Sequence, residues 1–226
     1  MKKRILIVLT SWNKLGATGR TTGLWLEEFT TPYYRFLDAG HKITAASPAG
    51  GKVPIDPESL KEENQTESTR RFTKSGDKVL DQTQPLAYVR AEDFDAVFYP
   101  GGHGPMWDLS RDMENAALIS ELFDSGKIIG AVCHGPAALV MAIDKASKPI
   151  LSGRKVTGFS NAEEEFVKLE KTVPFLLESR MKELGGLYSK GENWTPHVVT
   201  DGKLVTGQNP QSADGVAEAM LALLNE

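Results

Sequence analysis

Apolar positions along the chain follow two periods that alternate. Residues 4–10, 42–46, 95–99 and 127–132 are short, β-branched runs, apolar on successive residues as strands covered on both faces must be. Between them lie amphipathic stretches, one over about 22–39, where Trp25, Phe29, Tyr33 and Phe36 mark one face at a 3.6-residue period, and one over about 114–125. Ala39-Gly40 and Ser125-Gly126 read as helix stops, each followed at once by a strand. This rhythm predicts an α/β fold, a doubly wound parallel sheet sandwiched by helices. Residues 50–90 are polar, with Pro54, Pro57 and Pro85 and no strong period, and are read as a small inserted cap. Beyond 156 the pattern predicts a helical stretch at 173–184, two β segments at 195–200 and 203–206 joined by the hairpin pair Asp201-Gly202, and a closing helix at 212–224. No repeat interrupts the pattern, so 1–226 is read as one domain.

Composition narrows the function classes. The chain is 40% hydrophobic and 25% charged with a net charge of -4, and no basic block outlasts Lys2-Lys3-Arg4, so no nucleic-acid partner is expected. No apolar run approaches the ~18 residues of a membrane span, and residues 5–9 are too short for a signal-peptide core, which predicts no membrane partner and a cytoplasmic protein. A single cysteine excludes an intrachain disulfide; His41, His103 and His197 are scattered, and no Cys/His cluster has metal-ligand spacing. A metal-free site is expected.

That cysteine is Cys133, in Ala131-Val132-Cys133-His134-Gly135-Pro136, where a strand-like run meets a helix-like one across small residues. The pattern is that of a nucleophile elbow, whose sharp turn leaves no room for large side chains two positions before or after the apex. A helix opening at Pro136 would aim free N–H groups at the sulfur and favour thiolate. Ligands in open parallel sheets bind beyond the carboxyl ends of the strands. Tyr99-Pro100-Gly101-Gly102-His103 follows one such strand, so the amides of Gly101 and Gly102, with that of His134, are candidates for an oxyanion hole. On the 22–39 helix Glu28 lies at the edge of the buried face, where burial would keep it protonated beside the sulfur, whereas Glu27 falls on the polar face and is read as solvated. His134 needs a carboxylate to fix its tautomer, and Glu163-Glu164-Glu165 offers three consecutive choices that periodicity does not separate. Gly16-Ala17-Thr18-Gly19-Arg20-Thr21-Thr22-Gly23 lacks the spacing and lysine of a P-loop.

Together with Thr157-Gly158-Phe159 and Val205-Thr206-Gly207-Gln208-Asn209-Pro210-Gln211-Ser212, these motifs resemble the ThiJ/PfpI superfamily, with its flavodoxin-like, class I glutamine amidotransferase-like fold. The likeness covers nearly the whole chain and is greatest to the heat-shock-protein-thirty-one-like branch, described as glutathione-independent glyoxalase III, chaperones and protein deglycases. It implies Cys133 as nucleophile, His134 as its base, Glu28 as the acid beside the sulfur and, by position after Thr157-Gly158-Phe159, Glu164 as the histidine's partner. It further implies attack on a small dicarbonyl, methylglyoxal, to give a hemithioacetal, then lactate through an enediol with His134 and Glu28 as acid and base, no cofactor, and a homodimer. Glutaminases of this fold use a distant His-x-Glu pair; His197 is followed by Val198-Val199, which disfavours glutamine hydrolysis. Two further classes share these features: a cysteine hydrolase acting on amides or peptides, and a holdase chaperone whose partners are glycated or unfolded proteins.

Overall fold

The computed structural model describes residues 2–226. In chain order the elements are β1 (Arg4–Val8), α1 (Leu26–Asp38), β2 (Lys42–Ser47), α2 (Glu67–Ser75), β3 (Gln84–Pro85), β4 (Ala96–Tyr99), α3 (Met113–Asp124), β5 (Ile128–Val132), β6 (Lys155–Val156), α4 (Asn161–Phe166), α5 (Leu177–Glu183), β7 (Leu187–Tyr188), β8 (Val198–Asp201), β9 (Leu204–Gly207) and α6 (Ala213–Leu224). Seven strands form one sheet in the order β3-β2-β1-β4-β5-β9-β8, parallel except for β8, which returns antiparallel to β9. That return is the Asp201-Gly202 hairpin, with Gly202 at φ 59°.

The chain leaves β1 for β2 in one direction and later builds β4 and β5 in the other. Right-handed crossovers therefore place α1 and α3 on opposite faces and make the gap between β1 and β4 the topological switch point. Central strands must be apolar throughout, and Ile5 to Val8 are fully buried. Helix α1 docks through Phe36, whose ring lies 6.0 Å from Phe98 of β4.

Several boundaries differ from the sequence expectation: the helix read at 173–184 begins only at Leu177, and the β segment read at 195–200 is β8 at Val198–Asp201. Helix α1 begins at Leu26 rather than near 22, because Leu24 bridges to the 50–90 segment, its N–H donating to Pro54 and its carbonyl accepting from Asp56. After Cys133 no α-helix forms; Gly135–Leu139 is a short 3₁₀ turn, closed by i→i+3 bonds such as Ala137 N–H to the His134 carbonyl at 3.0 Å. Residues 155–158, a strand-like run in the sequence, form a strand only as far as Val156, which pairs with β7 outside the main sheet. Residues 50–90 hold α2 and β3, which extends the sheet edge beside β2. Phe72 of α2 meets Phe29 and Tyr33 of α1 edge-on, at 5.7 and 6.3 Å, which ties this segment to the helix carrying Glu28. Among the described residues no helix is long and apolar enough to cross a membrane.

Candidate active site

Cys133 leaves β5 at φ 59°, a left-handed conformation that non-glycine residues adopt only where surrounding structure enforces it. The enforcement is steric. A Cβ on Gly135 would collide with the Tyr99 carbonyl oxygen, so the turn after the cysteine runs directly against β4. Gly135→Ala is therefore expected to cost about 3 kcal/mol, the upper end for overpacking. A denaturation midpoint equal to wild type would show that the elbow has slack.

The elbow sets the sulfur at the carboxyl end of β5, beside the switch point, where it is buried rather than presented to a helix end. Burial pushes the thiol pKa well up, negative charge on Glu28 adds to this, and the one backbone N–H aimed at it, from Gly102, opposes both. The expected helix-stabilised thiolate is corrected on this point. The five-residue 3₁₀ turn supplies little aligned dipole, and desolvation dominates. The resting sulfur is a thiol that needs a base.

An imidazole lies beside the thiol. His134 Nδ1 lies 3.5 Å from Sγ, and Nε2 lies 2.7 Å from Glu164 Oε2. Burial and the neighbouring His103 lower the His134 pKa, so its ring is neutral at rest. Burial draws the Glu164 carboxyl up, but the contacts with His134 and His103 outweigh it and hold the group well below its ordinary value. An ionised Glu164 accepting from Nε2–H leaves the Nδ1 lone pair to face the thiol. The three consecutive glutamates have separate places at the start of α4. Glu164 meets the imidazole; Glu163 closes a capping box with the N-cap Ser160, accepting its N–H at 3.0 Å, and also accepts from the Trp194 backbone N–H at 3.0 Å and from Asn209 Nδ2 at 2.9 Å; Glu165 is exposed.

Glu28 lies beside the sulfur, fully buried. Its Oε2 accepts from the Gly101 N–H at 2.7 Å, and its Oε1 is buried without a hydrogen-bond partner. Burial raises its pKa well above the carboxylate range and the charge of Glu27 raises it further, so it holds a proton at neutral pH. With Glu28 neutral, the second cause of the raised thiol pKa disappears. Two expectations change here. The Gly101 amide is taken by Glu28, so it does not serve an oxyanion hole; the Gly102 amide, at φ 82° and favouring charge on the sulfur, and the His134 amide remain for that task. Glu27 is not solvated but half-buried in the cavity wall, bonded to Thr31 at 3.2 Å, with its pKa pushed up to about 7 chiefly by burial. The helical period placed it correctly relative to α1, but the 50–90 segment, through Glu63, Asn64 and Thr66, closes over that face.

These groups line a cavity of about 430 Å³ with Trp25, Phe159, Phe166 and Trp194 in its apolar wall. Trp194 packs on Phe159 at 5.7 Å and on the exposed Phe166 at 5.5 Å. His103 is not scattered: its ring stacks on His134 at 4.1 Å, and its Nε2 lies 2.8 Å from Glu164 Oε1. The signal for it was present, since it follows the Gly101-Gly102 pair beyond β4, at the sheet end that carries Cys133 on β5. Trp194 carried no such signal, because a loop's docking depends on its tertiary partners. His103, His134 and Glu164 bring three possible ligand atoms within 4.8 Å of one another, a grouping sequence spacing did not predict. Each imidazole Nε2, however, has a carboxylate oxygen of its own, so a divalent ion would have to displace both hydrogen bonds.

The DJ-1/PfpI family model matches residues 21–223. A Saccharomyces cerevisiae protein named glutathione-independent glyoxalase HSP31 is 30% identical over 226 residues, covering 95% of this chain and 95% of its own. Among solved structures, the Francisella tularensis Rapid Encystment Protein 24 KDa superposes with a TM-score of 0.94 at 37% identity over 99% of both chains. Glyoxalase III from Candida albicans superposes with a TM-score of 0.89 at 28% identity, over 97% of this chain and 96% of its own.

Proposed function

The chain belongs to the DJ-1/PfpI family, and with that as the premise we propose that it is a cysteine-dependent, glutathione-independent glyoxalase III-type lyase converting methylglyoxal to lactate. The observation that carries this reading is the arrangement around one sulfur: His134 Nδ1 at 3.5 Å as base, backed by Glu164 at 2.7 Å, and a fully buried Glu28 beside the sulfur whose carboxyl burial keeps protonated. Relatives named as glyoxalases over nearly the whole length of the chain support it. So does the cavity, whose volume suits a small molecule.

In this mechanism the thiol proton passes to His134 Nδ1 as Sγ bonds to the aldehyde carbon. The oxyanion that develops meets the Gly102 N–H and takes the proton from His134, leaving a neutral hemithioacetal. The hydrogen on the aldehyde carbon then moves to the ketone carbon through an enediol. Glu28 lends its proton to the ketone oxygen and regains one from the other hydroxyl, which leaves a thioester. Water cleaves the C–S bond, and lactate and the thiol are released. One carbon is oxidised by two electrons and its neighbour reduced by two, so the chemistry needs no external redox partner.

The direct test is lactate formation from methylglyoxal in the absence of glutathione. Lactate produced in catalytic amounts is the expected result; consumption of methylglyoxal without lactate, or no turnover, would overturn the reading.

A further inference from the structure

The proton shuttle between the two substrate carbons is the one step for which His134 is poorly placed. Both its nitrogens are committed, Nδ1 to Sγ and Nε2 to Glu164, and its side chain is 1% exposed. Glu28 supplies the opposite need, a proton for oxygen rather than a lone pair for carbon. Beside them is a second imidazole with an open valence. His103 lines the cavity and keeps 15% of its surface. Its Nε2 is held by Glu164 Oε1 at 2.8 Å, while its Nδ1 has no hydrogen-bond partner among the described residues. One carboxylate thus serves two histidines, one oxygen each, with the rings tilted together at 4.1 Å.

We propose that His103 is a second catalytic imidazole of this site, dividing the acid–base work with His134: His134 serves the sulfur, and His103 carries the hydrogen between the two carbons of the bound dicarbonyl. The proposal rests on the glyoxalase reading above. With Nε2–H donated to Glu164, the His103 Nδ1 lone pair takes the proton from the former aldehyde carbon of the hemithioacetal. The released C–H pair becomes the carbon–carbon double bond as the ketone oxygen takes its proton from Glu28. The His103 imidazolium then returns its proton to the ketone carbon. The remaining hydroxyl gives its proton to the Glu28 carboxylate and re-forms a carbonyl, now a thioester. Every proton removed is replaced, and no electron leaves the substrate.

A shared carboxylate suits this division. His134 is neutral again once it has protonated the hemithioacetal oxygen, so Glu164 is free to balance positive charge on His103 in the next step. Two cationic rings 4.1 Å apart would repel each other, so only one is charged at a time and the two steps occur in order. Glu27 also faces the cavity, but it is bonded to Thr31 on α1 and has no link to the His134–Glu164 pair.

The test uses His103→Gln in the full chain, because a glutamine amide can occupy the Nε2 position and keep a donor on Glu164 Oε1 while removing the second nitrogen. Three readouts are compared with wild type: lactate formation, the rate of Cys133 alkylation by iodoacetamide, and the kinetic isotope effect on turnover of methylglyoxal deuterated at the aldehyde carbon. The expected result is a fall in turnover of about 10²-fold, the range of one general base, with alkylation unchanged and a larger isotope effect as C–H cleavage becomes rate-limiting. Unchanged alkylation also establishes that the variant is folded with His134 in place. Turnover within twofold of wild type would overturn the proposal. So would equal losses of turnover and alkylation, which would make His103 a positioning residue acting through Glu164. If the wild-type protein forms no lactate, the glyoxalase reading itself falls and this role falls with it; lactate from wild type with an unaffected variant removes the role alone.

Discussion

Cys133→Ser is expected to lower lactate formation from methylglyoxal by about 10⁴-fold or more while leaving the protein folded. The magnitude is that of removing a covalent nucleophile whose partners act only through it. The thiol already resists ionisation because it is buried, and an alcohol in the same place has a far higher pKa, so His134 would have no accessible proton to take. The fold tolerates the change for the converse reason. Serine is slightly smaller than cysteine, and a hydroxyl donates more strongly than a thiol to His134 Nδ1 at 3.5 Å or to the unpartnered Glu28 Oε1. The thermal midpoint of the variant is expected to equal or exceed that of wild type. Turnover near the wild-type rate would reduce Cys133 to a core residue and remove the basis of the mechanism. A collapsed midpoint would instead show that sulfur packing holds the elbow in its left-handed conformation.

How much of this was legible in the sequence depends on how local its cause is. The parallel sheet could be read because buried strands such as Ile5 to Val8 and Ile128 to Val132 are apolar on both faces, a property of each segment by itself. The elbow was legible for the same reason: small residues at 131 and 135 around Cys133 answer a steric demand a few ångströms across. Features decided by distant partners were not. Glu27 has a helical phase that reads as solvent-facing, and only the packing of residues 50–90 against α1 places it in a cavity wall. The thiol was expected to be acidic from the Pro136 turn, yet its pKa is set by burial under elements more than a hundred residues away, including Glu28 on α1. Glu164 and its two neighbours are equivalent in sequence and separate only when α4 starts at Asn161. His103 was visible as a residue beyond β4 but not as a partner, because its link to His134 runs through a carboxylate 61 positions further along the chain.

Glu28→Gln is expected to cut turnover by about 10²- to 10⁴-fold, the range for loss of one general acid–base group, without slowing alkylation of Cys133. The two effects diverge because Glu28 has two relations to the sulfur's chemistry. In the proposed mechanism it gives a proton to the substrate oxygen as an acid, which an amide does not do. As an ionisable neighbour it hinders the thiolate, since negative charge on Glu28 is the second cause, after burial, of the raised Cys133 pKa. Glutamine removes that charge and leaves burial alone, so iodoacetamide is expected to react at the wild-type rate at neutral pH and faster as the pH rises. Stability follows the same logic. The Glu28 pKa is raised above its ordinary 4.5 in the folded chain, so its contribution is fully present below that value and is lost as the pH climbs through the folded-state pKa. Glutamine has no such loss, and it can still accept the Gly101 N–H that Oε2 now accepts at 2.7 Å. The variant's denaturation midpoint is therefore expected to gain on wild type as the buffer moves from pH 5 toward pH 9. Parallel losses of turnover and alkylation would contradict this account and make Glu28 an activator of the sulfur rather than an acid toward substrate. A midpoint that fell behind wild type with rising pH would mean that the buried carboxyl is ionised in the folded protein.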